Sequence, residues 1–155
     1  MEFLTVVLAS AVRSGTPVLY ASLGEVLSER AGVMNLGLEG IMLVGAYAGF
    51  AVTHATGNPW IGLAAAFGAG CLITVIHAFL CITMMCNQVV SGLAMVLTGY
   101  GLSALMGRNV IGQTIQGVTA WNLPFLSSIP FVGPIFFRHN AMVYFSFILI
   151  AFLCW

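Results

Sequence analysis

Hydrophobic positions run in long blocks along this chain, broken by a few short polar clusters. Between Gly40 and Gly107 there is no Asp, Glu, Lys or Arg. A stretch of that length holds three helices of about 20 residues, each able to cross a hydrocarbon core about 30 Å thick. Turn chemistry divides it. "TGNPW" (Thr56 to Trp60) gathers Gly, Asn and Pro and reads as a loop, and Pro59 suits the first turn of the next helix. "CNQ" (Cys86 to Gln88) is the second division, because its amides, left unpaired, are costly in hydrocarbon and belong at an interface. The pattern predicts membrane segments near residues 36–56, 60–85 and 89–107.

An earlier segment is predicted over residues 3–27, with a kink at Pro17. Arg13 lies inside it. Either Arg13 faces protein or water, or the first part of the segment lies along the interface. Asn109 to Asn140 has three prolines and three glycines yet stays apolar and aromatic. A flexible linker would be polar. The stretch is expected to fold down as a cap, with Trp121, Phe125 and Phe131 near the headgroups. Ala141 to Trp155 is apolar to its last residue and reaches about 22 Å, short of a full crossing. It reads as a helix cut midway, and the chain as the N-terminal part of a longer protein. The expected fold is an all-α polytopic transmembrane bundle of about five segments, one integral membrane domain over residues 1–155, incomplete at its C-terminus.

Composition strengthens this picture. The 155 residues are 61% hydrophobic and only 5% charged, with no Asp and no Lys. A soluble domain coats itself with about a quarter charged residues, so a soluble fold is excluded. Zero net charge gives no reason to expect a nucleic-acid partner. Cys71, Cys81, Cys86 and Cys154 sit in apolar runs without zinc-like or disulfide-framework spacing, and read as small buried or lipid-facing side chains. Four arginines are too few to orient the chain, although Arg108 and Arg138 bracketing one loop would place that loop in the cytoplasm.

Half of the eight charges fall between Glu25 and Glu39, around "SERAGVMNLGLEG" (Ser28 to Gly40). Asn35 is a suitable N-cap for a helix beginning at Leu36, and Glu39 in its first turn complements the positive helix end. Gly32, Gly37 and Gly40 thin the backbone. This is the pattern of a helix interrupted at or inside the membrane boundary, and irregular backbone is tolerated there only where it lines a cavity or is buried in protein. Glu29 and Arg30 fit an interfacial pair. Glu39 fits either a dipole-compensating carboxylate or, with Asn35, a pathway or moving joint. Gly45 and Gly49 form a GxxxG, and Gly68/Gly70 and Gly99/Gly101 add small faces for close helix packing.

"GTPVLYASLGEVLSERAGVMNLGLEGIMLVGAYAGF" (Gly15 to Phe50) resembles the N-terminal region of permease subunits of ABC importers. The closest likeness is to the simple-sugar and nucleoside group, related to branched-chain amino-acid permeases. "GNPW" (Gly57 to Trp60), "NQVVSGLAMVLTGYGLSAL" (Asn87 to Leu105) and "SIPFVGP" (Ser128 to Pro134) are similar to further family blocks in the same order. The resemblance implies alternating access in the cell membrane. It also implies a second permease subunit, cytoplasmic ATPase subunits that bind the ATP, and an external substrate-binding protein. It places the Asn109 to Asn140 segment outward, against the arginine count. Family members are about twice this length, and their ATPase-docking segment falls beyond Trp155. The "CITMMC" before "NQVV" lacks the basic residue common in relatives. The chain has no GxxxxGK[ST] motif and no lysine to complete one, so it has no phosphate loop of its own.

Asn87, Gln88 and Ser91 cluster at the start of a segment, where they can bond a substrate hydroxyl or base edge, or cap and cross-link helices. A haem or metal site built on His54, His77 or His139 lacks any sign of proximity, and Ser91 with His77 lacks the nucleophile-elbow pattern of a hydrolase. The rival to the importer is a non-transporting membrane protein acting by helix association, as an assembly or regulatory partner or the product of a broken gene.

Overall fold

The computed structural model describes residues 2–122 and 132–154. The chain divides into two compact units, one of Met1–Gly24 with Val118–Trp155 and the other of Glu25–Gly117. Among the described residues, four helical stretches are long and apolar enough to cross a membrane: Phe3–Arg30, Leu38–Thr56, Pro59–Thr83 and Gln88–Val110. A shorter apolar helix covers Ala141–Cys154. The fold is therefore an all-α polytopic membrane bundle.

Helix α1 (Glu2–Arg30) runs without a break through Pro17, which removes one N–H from its ladder. Its last turns, from Glu25, belong to the second unit. Helix α2 (Leu38–Thr56) ends at Gly57, whose left-handed φ of 68° lets its N–H return to Thr53 O. Asn58 then caps helix α3 (Pro59–Ala78) by accepting from Trp60 N at 2.9 Å. α3 passes into a π-helical turn, Phe79–Thr83, and the chain leaves it through Met85 at a positive φ of 50°. Asn87 caps helix α4 (Gln88–Gly107), which a short 3-10 turn (Arg108–Val110) extends.

Hydroxyls in these helices need partners where water is scarce. Thr16, Ser22, Thr53, Thr56, Thr74 and Thr98 each donate to the carbonyl four residues back, at 2.7–2.9 Å. The apolar side chains between them are mostly exposed, as suits a surface facing lipid or other helices.

Within the second unit, α2 packs against α3 and α4 through small residues. Gly49 lies against Gly62 and Ala66 of α3, and a Cβ at Gly45 would stand 3.4 Å from Ala66 O. The α2–α4 approach is closer still. A Cβ added to Gly99 would land on the backbone of Gly40, and one added to Gly40 would land on Met95 O. Only backbone against backbone fits there.

In the first unit, Tyr20 Oη donates to Met142 O at 2.7 Å, tying α1 to the first turn of α6 (Ala141–Cys154), and its ring stacks near Phe145. Strands β1 (Ala120–Asn122) and β2 (Arg138–Asn140) form a short antiparallel ladder, a feature the hydrophobic pattern did not predict. Its three-residue strands lie in the stretch expected to form a cap, and they leave the helical class unchanged. Between them, α5 (Val132–Phe136) offers Ile135 O to the fully buried His139 Nε2 at 2.7 Å. Phe125 and Phe131, and the Trp121 side chain, lie outside the described residues.

The close α2–α4 approach predicts an asymmetric response to a single methyl. Gly99→Ala forces backbone apart and should destabilise the protein by at least about 1–3 kcal/mol. Gly101→Ala has open space around its Cβ and should be neutral or slightly stabilising. Thermal unfolding of the detergent-solubilised protein reads the difference, and equal behaviour of the two variants would contradict the crossing.

Candidate functional site

Between α1 and α2, residues Ala31 to Gly37 leave helical geometry, and Gly32 takes a positive φ of 87°. Backbone in this state has N–H and C=O groups that no helix satisfies. Side chains from three helices satisfy them instead. Gln88 of α4 works at both ends of its amide: Oε1 accepts from Met34 N at 2.8 Å, and Nε2 donates to Gly32 O at 3.3 Å. From α1, Ser28 Oγ donates to Val33 O at 2.8 Å, and Glu25 Oε1 accepts from Asn35 N at 2.8 Å. Ser28 O also accepts from Val33 N. From α3, His77 Nε2 donates to Met34 O at 3.4 Å. Four consecutive residues of non-helical chain thus have their polar groups clamped.

The His77 tautomer is set by this geometry. Met34 O can only accept, so Nε2 carries the proton. Nδ1 is then an acceptor, and Ser91 Oγ donates to it at 3.0 Å. Cys81 Sγ lies 3.6 Å from Nε2. The sequence offers Ser91 with His77 only as a hydrolase pair lacking a nucleophile elbow, and the structure brings the two into contact in another role. Their meeting does not make a hydrolase, since the exposures are 2% and 5% and no acyl substrate can reach the hydroxyl. His77 also has a carbonyl as its second partner, where a triad would need a carboxylate. The pair is a buried bolt between α3, α4 and the break.

Asn35 departs from its expected role. The helix begins at Leu38, not Leu36, and its N-cap is Gly37, which makes no side-chain cap bond. Asn35 Oδ1 accepts from Gly37 N at 3.0 Å, an Asx turn placed just before the helix. The two-residue delay has a steric cause. A Cβ at Gly37 would stand 2.8 Å from Met95 Cβ and 3.2 Å from Gly92 O, so this turn is spent on seating the chain against α4.

Asn87 is used as a cap, accepting from Val89 N at 2.9 Å and Val90 N at 3.3 Å. Of the residues singled out from the sequence, Asn35, Gln88 and Ser91 gather around the break, Asn87 stands at the end of α4, and Glu39 stands apart. Glu25, Ser28 and His77 complete the clamp and were not singled out for it. The signal that could have found them is the demand of the break itself for polar side chains within reach. The second Glu25 oxygen, Oε2, is buried and has no hydrogen-bond partner among the described residues. Glu29 and Arg30 are exposed in the last turn of α1.

Glu39 lies in the first turn of α2, beside the Gly40–Gly99 crossing, with its side chain exposed. Tyr100 Oη of α4 points to its Oε2 at 3.5 Å. Along the Gln88–Val110 span, Tyr100 stands about 18 Å from one end and about 15 Å from the other. The carboxylate thus stands at the start of α2 and alongside the middle of α4, and facing hydrocarbon at the centre of a span it would cost roughly 2.5–3.5 kcal/mol. It must face protein or water.

A polytopic bundle in which the non-helical connection between two membrane-length helices is held by side chains from three helices fits a membrane transport component. Kinship with known proteins agrees. The chain belongs to the family described as the branched-chain amino acid transport system / permease component, whose model matches residues 7–155. It is 43% identical over 148 residues to TsgC13 of Haloferax volcanii, named as a provisional glucose ABC transporter permease protein, covering 93% of this chain and 45% of that one. It is 32% identical to the nucleoside ABC transporter permease protein NupC of Lactococcus lactis, covering 98% of this chain and 51% of that one. It is 31% identical to the guanosine ABC transporter permease protein NupQ of Bacillus subtilis, covering all of this chain and 52% of that one. The chain spans about half the length of the curated relatives it matches. No solved structure matches it. The protein is a multi-pass component of the cell membrane.

The clamp makes a specific prediction. Gln88→Ala removes both the acceptor for Met34 N–H and the donor to Gly32 O, and should raise hydrogen exchange of the Met34 amide at least about tenfold. Gln88→Glu keeps the acceptor and should protect that amide better than Ala does. Equal exchange in all three proteins would show that Gln88 does not hold the break.

Proposed function

We propose that this chain acts as a membrane-spanning permease subunit of an ABC importer for nucleosides or simple sugars, forming part of the translocation pathway by alternating access. The observation that carries the reading is the clamped break between α1 and α2, supported by kinship with permeases named for glucose, nucleosides and guanosine. In lipid a non-helical segment is tolerated where it is buried in protein or lines a cavity. A break bolted to α1, α3 and α4 at once moves when those helices move, which is what alternating access needs of a joint.

Asn35, Gln88, Ser91 and Asn87 serve in this reading as the frame of the joint, and Glu39 faces the pathway. Gly45 and Gly49 keep α2 close to α3. The partners are a second permease subunit, a pair of cytoplasmic ATPase subunits and an external substrate-binding protein. Energy comes from the ATPase subunits, because the chain has neither a phosphate loop nor a lysine to build one.

Uptake in cells tests this. Deleting the gene from its native locus should abolish high-affinity uptake of labelled nucleosides or of labelled glucose, and restoring it should recover uptake. Unchanged uptake of both substrate classes after deletion would overturn the importer reading and favour a protein acting by helix association.

A further inference from the structure

Glu25, Ser28, Asn35, His77 and Gln88 are committed to backbone partners around the break. Glu39 and Tyr100, farther along α2 and α4, take no part in that clamp. They sit on different helices, both exposed, and touch each other only loosely at 3.5 Å. A carboxylate offers about four acceptor sites, and one long contact leaves most of them free. No Lys or Arg occurs from Leu38 to Gly107, so α2, α3 and α4 supply no cation to neutralise the charge. Tyr100 is 52% exposed, which leaves its phenol oxygen reachable from the same side.

We propose that Glu39 and Tyr100 form a hydroxyl-recognition point on the translocation pathway, where the Glu39 carboxylate accepts both protons of a vicinal diol on a neutral substrate and the Tyr100 oxygen completes the contact. The proposal rests on the permease reading and names the chemistry at its centre. Two adjacent hydroxyls present two donors side by side, and a carboxylate is the side chain with two acceptor oxygens in one plane. Carboxylates recognise ribose hydroxyls by this means in dinucleotide sites. Such bonds are charge-assisted and gain strength away from water. The tight glycine crossing beside them matters here. Gly40 against Gly99 fixes the depth of α2 on α4, so Glu39 and Tyr100 are held at one level. A diol is shared by ribonucleosides and by hexoses, and the experiment separates these two sources.

The test is uptake by the assembled transporter in cells, with Glu39→Gln and Tyr100→Phe introduced at the native locus and membrane levels checked by immunoblot. Each variant is assayed with a ribonucleoside and its 2′-deoxy counterpart, and in parallel with glucose and 3-deoxyglucose, which loses both the C2–C3 and the C3–C4 diols. The readout is the diol-to-deoxy ratio of Vmax/KM, relative to wild type. In the pair that the transporter accepts, Glu39→Gln should lower the ratio about tenfold or more, mainly by weakening uptake of the diol substrate. Tyr100→Phe should lower it by a smaller factor in the same direction. A uniform loss for diol and deoxy substrates alike would make Glu39 a structural residue and overturn the proposal, as would an unchanged ratio. If Glu39→Gln does not reach the membrane, the Tyr100→Phe ratio decides alone. Absence of uptake of all four substrates by the wild type would sink the permease reading instead, so the two failures are distinct.

Discussion

A backbone amide that leaves helical geometry must find another partner, and this constraint governs the structure around the break. A helix meets it automatically. The chain from Gly32 to Asn35 gives up that solution, and the deficit is met by Glu25, Ser28, His77 and Gln88. Leaving one such group buried and unmet costs about 1–3 kcal/mol. That is large enough to explain why an otherwise apolar chain keeps its scarce polar residues here. Their scarcity elsewhere and their density at one place have the same cause.

Hydrogen bonding fixes the break, but close packing fixes the position of α2 beyond it. Once α2 starts at Leu38, it enters beside α4 where no side chain fits between the backbones. Gly37 meets Gly92, Gly40 meets Met95 and Gly99, and one register of α2 on α4 results. In lipid there is no hydrophobic drive between helices, so such van der Waals contact is the main force available. A shift of α2 by one residue would put Leu38 or Ile41 where only glycine fits. The clamp and the crossing are therefore parts of one joint, with α4 supplying Gln88 and Ser91 to the first and Gly92 and Gly99 to the second.

The class of fold was legible because long uncharged runs in a chain with eight charges admit few solutions. The interhelical breaks at Asn58 and Asn87 were legible for a local reason, since Asn and Pro act within two or three residues. The clamp was only half legible. Asn35, Gln88 and Ser91 stood out as amides and a hydroxyl in apolar surroundings. Glu25 and His77 did not, because their partners are at sequence separations of 10 and 43 residues and no periodicity reports such a contact. Asn35 followed the usual capping rule in sequence but not in structure, because Gly37 was needed against α4 before the helix could begin. The β1–β2 ladder was hidden for a different reason: three-residue strands carry too short a pattern to read.

The same constraint separates the residues that hold the joint from those that can serve a substrate. A polar side chain already bonded to buried backbone cannot leave it for a passing ligand without exposing that backbone to an apolar environment. Gln88 and Asn35 hold the Met34 and Gly37 amides at 2.8 and 3.0 Å, and Ser91 is held at 3.0 Å by His77, which itself reaches Met34 O. Asn87 holds the first turn of α4. Glu39 has no such obligation. Its place in the first turn of α2 complements the helix end, a contribution of roughly 0.3–1 kcal/mol. That contribution engages the charge and leaves most of the acceptor sites of the carboxylate unused. With its side chain exposed and one long contact to Tyr100, Glu39 is open to water and, in the proposed recognition point, to a hydroxylated substrate.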